Sequence, residues 1–427
     1  MALIATATVL STSTYKEIST LKEEFTSAVY GCQVAANAAS IRNRVDWLTG
    51  GLRFDVTQLN TLALKSLASL YEERERLFCR RIVFTQNGFW REGTSRKHTI
   101  IALLGLQHLA GAVHEQVFDI ALIREVALRD KSWVKSIGEL GLLTWFTAES
   151  EPDKLRALFD EFDFKNALKS YSDSRHGYTS GLALFLAGIA HARISATGCL
   201  HDLTDIAIDA YRLLQDNQSD GGIFGHAAHF ALVPQRLCKR FGTLADQMYS
   251  IYAMTTFARA FQLEEPIASA LACANSIRAL QGELGQWWFL YDTHACRALN
   301  RYPVLSLHQD GTAPLALFAL QEATGQRFQE EICKGLNWIS GANELGKALG
   351  NRDRGIIWHS IGLRRRLSGY LEAVLNLMHE CPRPRSEALR VRYEATPEYF
   401  GWLLRAFGRF GLANDLNQRL VRTEYQV

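Results

Sequence analysis

The side chains in this sequence that could do chemistry gather where a polar turn opens an apolar helical stretch. The densest set runs from Trp288 to Asp310 (WFLYDTHACRALNRYPVLSLHQD), just ahead of APLALFALQEA. Asp310 and His308 lie two residues apart. A carboxyl group with an imidazole to tune it can act as a general acid or base. Asp310 can equally cap the helix that Pro314 opens. Trp288 and Tyr291 could wall a cavity, where ring faces stabilise a carbocation or stack on a sugar; core packing is the alternative for both. Asp292, directly after them, is a cavity carboxylate or a turn-former. Glu92, in WREGTSRKHT, is an acid poised by Arg91 or Arg96, or a turn residue.

Similar groups recur before other apolar stretches: Arg96 and His98; Arg175, His176 and Tyr178; His226 and His229; Asp246 and Gln247. The first turn of a helix carries free N–H groups and partial positive charge, so such positions are natural pocket lining. His226 and His229 are three apart and share a face if helical; they are a metal half-site or satisfied cavity histidines. The expected catalytic set is therefore Asp310, His308, Glu92 and Asp292. The expected substrate-binding set is Trp288, Tyr291, Arg96, His98, Tyr178, His226, His229 and Gln247. No metal and no cofactor are expected.

Two kinds of helix must hold these groups. Residues 99–113, 179–193, 249–261 and 313–322 are apolar around most of their circumference, and residues 120–130, 203–215 and 328–338 are amphipathic. A helix apolar all round is buried on all sides. An inner ring of such helices wrapped by an amphipathic outer ring satisfies both patterns. The pattern also predicts helices over 15–48, 61–84, 119–134, 137–163 and 395–412, and no convincing alternating strand. The expected fold is all-α: an α/α toroid of about six helix pairs over 61–427, preceded by an N-terminal helical extension over 1–60.

Glycine followed by an aromatic marks several turns: Gly88-Phe-Trp90, Gly222-Ile-Phe224, Gly285-Gln-Trp287 and Gly355-Ile-Ile-Trp358. Their spacing suits stacked helix pairs. Gln281-Gly-Glu-Leu-Gly285-Gln-Trp287 fits Gln-x3-Gly-x-Trp, and Gln218-Ser-Asp-Gly-Gly222-Ile-Phe224 fits it with Phe for Trp. This resembles the repeated Gln-Trp motif of the squalene-cyclase and prenyltransferase α/α toroids. There the glutamine caps a helix end and ties neighbouring repeats together. The resemblance implies a toroid with a central cavity and an acid-initiated cyclisation or rearrangement of an isoprenoid or polyene-like substrate, an isomerase or lyase activity. The Asp-x-Asp-Asp acid motif of those enzymes is absent; Asp160-Glu-Phe-Asp163 is the nearest carboxylate cluster and reads as a solvated helix face. The protein prenyltransferases would place Asp, Cys and His on zinc; Asp292, Cys296 and His359 are the set that resemblance suggests, but the local pattern does not match. A carbohydrate-active α/α barrel (glycoside hydrolase, lyase or sugar epimerase) also fits the mixture of Trp, His, Arg and carboxylates. A non-catalytic toroid binding a peptide or protein is the third reading.

Composition narrows the classes. The chain has 427 residues, 48% of them hydrophobic, and a net charge of +3. That is core enough for a large domain, and it lacks the concentrated basic face of a nucleic-acid binder. Eight dispersed cysteines with no CxxC point to free thiols in a reducing compartment. No apolar run reaches the ~18–20 residues of a membrane span, and the start MALIATATVL lacks the basic region of a signal peptide. The expectation is a cytoplasmic protein taking a small molecule in a central cavity, with no nucleic acid and no transmembrane segment.

Overall fold

The computed structural model describes residues 55–412, except 87, 111–114, 116, 174–176, 196–202, 231–236, 365–373, 375 and 378–383. The chain divides into two units, residues 1–51 and 52–427. Arg175, His176 and the part of the expected N-terminal extension before Asp55 fall outside the described residues.

Helices alternate in character along the second unit. The outer set is α1 (Val56–Leu70), α3 (Ile120–Arg129), α5 (Phe164–Asp173), α7 (Thr204–Gln215), α9 (Glu265–Ala279) and α11 (Gln329–Ile339). Each is followed by an inner partner: α2 (Arg96–Leu106), α4 (Ile137–Ser150), α6 (Thr179–Ser195), α8 (Leu244–Phe261), α10 (Ala313–Thr324) and α12 (Pro397–Phe407). The inner helices pack in the order α2–α4–α6–α8–α10–α12, and α12 closes back onto α2. The result is the expected α/α toroid of six pairs. Leu140 to Ala148 of α4 is buried without interruption, whereas α3 buries only Ile123 and Ala127. That difference is the one between an inner and an outer helix.

Glycines set how closely inner helices approach. A Cβ on Gly141 or Gly188 would overlap backbone where α4 crosses α6, and one on Gly105 or Gly401 would do so where α2 crosses α12. Tight backbone contact there leaves no room even for a methyl group.

The two Gln-x3-Gly-x-aromatic turns share one geometry. The Gln218 amide donates to the Gly222 carbonyl (2.9 Å) and to Ser269 O (2.9 Å) on α9. The Gln281 amide donates to Gly285 O (3.1 Å) and to Glu331 O (2.9 Å) on α11. Gly222 (φ +82°) lies against the backbone of Ala272, and Gly285 (φ +95°) against that of Lys334. Phe224 and Trp287 are fully buried. A second glutamine fastens each turn: Gln247 accepts from Phe224 N (2.7 Å) and donates to Phe224 O (2.8 Å), and the Gln309 amide accepts from Trp287 N (3.1 Å) and donates to Gly285 O (2.9 Å). The motif stitches one helix pair to the next.

The other two glycine-aromatic stretches are different. The helix expected over 61–84 stops at Leu70, and Leu77–Thr85 (β1) pairs with Gly88–Thr94 (β2) as a hairpin. Thus Gly88-Phe-Trp90 is strand, with Phe89 and Trp90 exposed. LFCRRIVFT is rich in aromatic and β-branched residues, which suit a pleated strand better than a helix. Gly355 and Trp358 flank a two-residue pairing of Gly350–Asn351 with Ile356–Ile357. Further short pairings, Phe241–Thr243 (β3) with Leu290–Asp292 (β4) and β4 with Arg297–Asn300 (β5), decorate the loops that lead into inner helices. The stretch expected as one helix over 137–163 is broken at Pro152, which cannot continue a helix.

A buried charge network ties the ring at the C-terminal ends of its inner helices. Arg405 of α12 makes a two-pronged ion pair with Glu149 of α4 and also donates to His108. Glu149 accepts from Trp145 Nε1 (2.9 Å) and lies 3.1 Å from His191 Nδ1. His191 Nε2 meets the Tyr252 hydroxyl at 2.9 Å, and Trp145 stacks on His191 (4.5 Å).

Candidate active site

All inner helices run the same way, so their first turns meet at one mouth. Capping boxes fix two of these turns: Ser136 with Glu139 on α4 and Thr243 with Asp246 on α8. Two contacts between neighbouring first turns and one across the ring show the convergence. His98 of α2 lies 3.6 Å from Glu398 of α12, Lys97 lies 3.7 Å from Glu139, and the Tyr249 ring of α8 meets Trp402 of α12 at 5.8 Å.

Tyr399, in the first turn of α12, is the centre of one cluster. Its hydroxyl lies 2.7 Å from His359 Nε2, and His359 Nδ1 lies 2.9 Å from Ser360 Oγ. Burial holds the Tyr399 phenol well above its usual range, with the charges of Glu398, Glu394, Asp310 and Tyr249 adding. Burial lowers His359 to about 4, helped by Arg392 and Arg81. A neutral imidazole accepting the phenol proton at Nε2 and donating from Nδ1 to Ser360 satisfies both partners. Asp310 sits in the π-type turn Leu307–Thr312 that runs into α10; it is 2% exposed and its Oδ1 has no hydrogen-bond partner. Burial raises its pKa well above the carboxylate range. A carboxyl in that condition keeps its proton and can give it up. His308 bonds Thr312 Oγ1 (2.9 Å) and is lowered to about 3 by burial, with His359 adding. Arg81 links Glu92 (2.5 Å) to Glu394 (3.2 Å) along the edge of this cluster.

A second cluster joins α6 and α8. His226 Nδ1 lies 2.8 Å from Asp246 Oδ2, and Tyr178, 42% exposed, stacks on the His226 ring at 4.7 Å. Asp246 also accepts from Ser180 N (3.1 Å) and Thr243 N (2.9 Å). Burial lowers the His226 pKa, but Asp246 outweighs it and the net shift is upward. Tyr249, partly exposed, lies one turn beyond Asp246 and carries a phenol raised by burial and by Glu398.

Of the residues singled out in the sequence, Asp310, His308 and His98 join the Tyr399 cluster, Glu92 reaches it through Arg81, and Tyr178 and His226 form the second. The others lie elsewhere. Asp292 is fully buried and organises its hairpin, accepting from His294 N (3.0 Å) and Ala295 N (3.2 Å). Tyr291 is fully buried in β4, paired with Gly242 of β3 and Ala298 of β5. Gln247 serves the Phe224 turn. His229 contacts Lys239, and Arg96 lies 3.6 Å from Asp130. Trp288 faces a separate recess. Among the described residues no three His, Cys, Asp or Glu side chains group as metal ligands, so Asp292, Cys296 and His359 are not one set. Glu398 and Tyr399 were missed although they obey the rule that found the others: ATPEYFGW places them in the first turn of an inner helix. Tyr249 and Glu394 carry no local signal.

No protein-family model matches this sequence, and no curated protein matches it. Solved structures do. An unsaturated glucuronyl hydrolase specific for heparin is 14% identical over 86% of this chain and 97% of its own, with a TM-score of 0.56. The unsaturated glucuronyl hydrolase from Bacillus sp. GL1 is 12% identical over 83% and 96% (TM-score 0.53). Cellobiose 2-epimerase from Bacillus thermoamylovorans B4167 is 8% identical over 81% and 95% (TM-score 0.54). At these identities the likeness is one of fold. It corrects the squalene-cyclase and prenyltransferase resemblance, and with it the isoprenoid cyclisation: a glutamine-glycine-aromatic turn answers the general need to stitch stacked helix pairs, and it carried no chemistry of those families. No helix among the described residues is long and apolar enough to cross a membrane.

Proposed function

We propose that this chain is a carbohydrate-active α/α-toroid enzyme, of the glycoside hydrolase, lyase or epimerase kind, which moves protons on a sugar bound at the mouth formed by the inner-helix first turns. One observation carries the reading: a protonated phenol and a neutral imidazole in contact (Tyr399 and His359, 2.7 Å), beside the buried carboxyl of Asp310 and the guanidinium groups of Arg81 and Arg392. A Tyr–His pair near arginines suits a uronate or an epimerisable sugar better than two facing carboxylates do. The solved structures of similar fold, which act on glucuronyl and cellobiose substrates by their names, support the same class.

In this reading Asp310 gives a proton to the leaving or carbonyl oxygen, Tyr399 takes one from the sugar or from water as its own phenol proton passes to His359, and His226, held by Asp246, is the second imidazole at the mouth. The test is turnover of a panel of neutral and uronate-containing disaccharides, followed by chromatography. Wild type should convert at least one, and Tyr399→Phe, which keeps the ring, should lower kcat by about 10²–10⁴-fold. Wild type that converts none, or Tyr399→Phe at wild-type rate, would overturn the proposal.

A further inference from the structure

A recess of about 540 Å³ opens beyond the end of α9, between the Gln281–Trp287 turn and the β5 strand, and no residue of the Tyr399 or His226 clusters lines it. Its walls include Trp288, Arg297, Arg301, Tyr302 and Glu344. Glu344 is already satisfied by neutral donors. Its Oε1 accepts from Gln286 Nε2 (2.8 Å) and the Tyr302 hydroxyl (2.5 Å), and its Oε2 accepts from Trp338 Nε1 (2.9 Å). Arg297 donates to the carbonyls of Asn376 (2.9 Å) and Leu377 (3.0 Å).

Arg301 differs from both. Its guanidinium lies 5.6 Å from the centre of the partly exposed Trp288 ring, while Nε and Nη1 are shielded from solvent with no acceptor. Among the described residues no carboxylate pairs with it. A shielded cation with unmade hydrogen bonds is unfavourable, and such groups are ordinarily paired. A guanidinium edge presents two parallel donors, which fit the two oxygens of a carboxylate. The neighbouring Glu344 disfavours a multiply charged anion such as phosphate. The indole beside Arg301 offers the flat apolar surface on which a pyranose ring packs.

We propose that this recess is a second saccharide site, one that holds the carboxylate of an acidic sugar on Arg301 with the ring against Trp288. The proposal rests on the carbohydrate-active reading above, and it extends the bound glycan beyond the mouth to the rim of the toroid.

The experiment is a titration of full-length protein labelled with 5-fluorotryptophan, the Trp288 line being assigned by its loss in Trp288→Phe. The probes are glucuronic acid, glucose and acetate. Glucuronic acid should shift the Trp288 line saturably. Glucose and acetate, each lacking half of the recognised group, should bind at least tenfold more weakly. Arg301→Gln should weaken glucuronic acid at least tenfold, and Arg301→Lys, which keeps the charge but not the fork, should fall between. An unmoved line, an equal response to acetate, or an equal response in Arg301→Gln would overturn the proposal. The two readings fail separately: turnover without a Trp288 response sinks only this site, and a saturable Trp288 response without turnover sinks only the catalytic reading.

Discussion

Replacing Asp310 by asparagine should make the protein more stable and less active at once. Asp310 is 2% exposed, its Oδ1 has no partner, and burial raises its pKa well above the usual range. An acid whose folded pKa lies above its unfolded one contributes stability that is full below the unfolded pKa and is lost as pH rises through the folded pKa. At neutral pH the wild type is therefore held below the stability that a neutral side chain of the same shape would give. The penalty is about 1.4 kcal/mol for each pH unit over which the folded carboxyl keeps a proton that the unfolded one has released. Against this stands the new amide N–H pair, which needs acceptors in a site that offers few; an unmade bond costs about 1–3 kcal/mol. The expected net gain is about 1–3 kcal/mol near neutral pH, shrinking to nothing or reversing at about pH 3, where the wild-type carboxyl is mostly protonated in both states. Urea unfolding of both proteins at the two pH values measures it, and turnover on the same samples should fall. A variant less stable than wild type near neutral pH, or a gain that does not change with pH, would refute the reasoning that Asp310 is a strained, proton-holding acid.

Other perturbations probe the scaffold. Burial lowers His191 and His359 to about 4 and His308 to about 3. Folded values below the unfolded one mean stability that is intact above about pH 6.5 and lost on acidification, by up to roughly 3 kcal/mol for His191 and His359 and roughly 5 for His308; a pH series of unfolding midpoints should fall steeply between about pH 6.5 and 4, and His226, raised by Asp246, works in the opposite sense. Gly285→Ala and Gly325→Ala share a positive φ (+95° and +73°), but a Cβ on Gly325 meets nothing within 4 Å while one on Gly285 overlaps the Lys334 carbonyl. Gly325→Ala should lower stability by about 1–2 kcal/mol and Gly285→Ala by several kcal/mol more; equal losses would show that the turn does not need that close approach. Arg405→Met strands Glu149 in the C-terminal network and should destabilise by about 3–5 kcal/mol, with most of that recovered in the double variant Arg405→Met, Glu149→Leu; denaturant midpoints of the three proteins decide it.

The toroid was legible because its demands are periodic. Apolar helices such as 179–193 and amphipathic ones such as 203–215 announce their place in the ring, and Gln281 and Gln218 announce the turns between pairs. The hairpin of 77–94 was not legible as strand, since LYEERERLF continues a helical charge pattern past Leu70 until the four-residue turn intervenes. The C-terminal network was beyond any local reading: Glu149 and Arg405 are 256 residues apart, and only ring closure brings them together. The site was legible in part. A rule about first turns of inner helices picks out Asp310, His308, His98, His226 and Tyr178, which the structure brings into the two clusters, and applied to ATPEYFGW it also picks out Glu398 and Tyr399. Trp288, Tyr291 and Asp292 came instead from their sequence neighbourhood to Asp310; Tyr291 and Asp292 are buried in β4, and Trp288 lines a separate recess.

The two glutamine turns explain why the fold and the chemistry were unequally visible. Gln247 and Gln309 each fasten the backbone of the turn before them, at corresponding places in adjacent helix pairs. Their immediate predecessors are Asp246 and His308. The glutamine position answers to a backbone need that is the same in every pair, so its residue type repeats and can be recognised. The position before it turns toward the mouth, where Asp246 holds His226 and His308 sits beside His359. The residue type there is not shared by the two copies: Asp246 completes the capping box of α8 and holds His226, while His308 bonds Thr312. A motif that fixes architecture is silent about reaction for this physical reason: it sets the backbone of the turn, and it does not set the residue type that stands beside the glutamine.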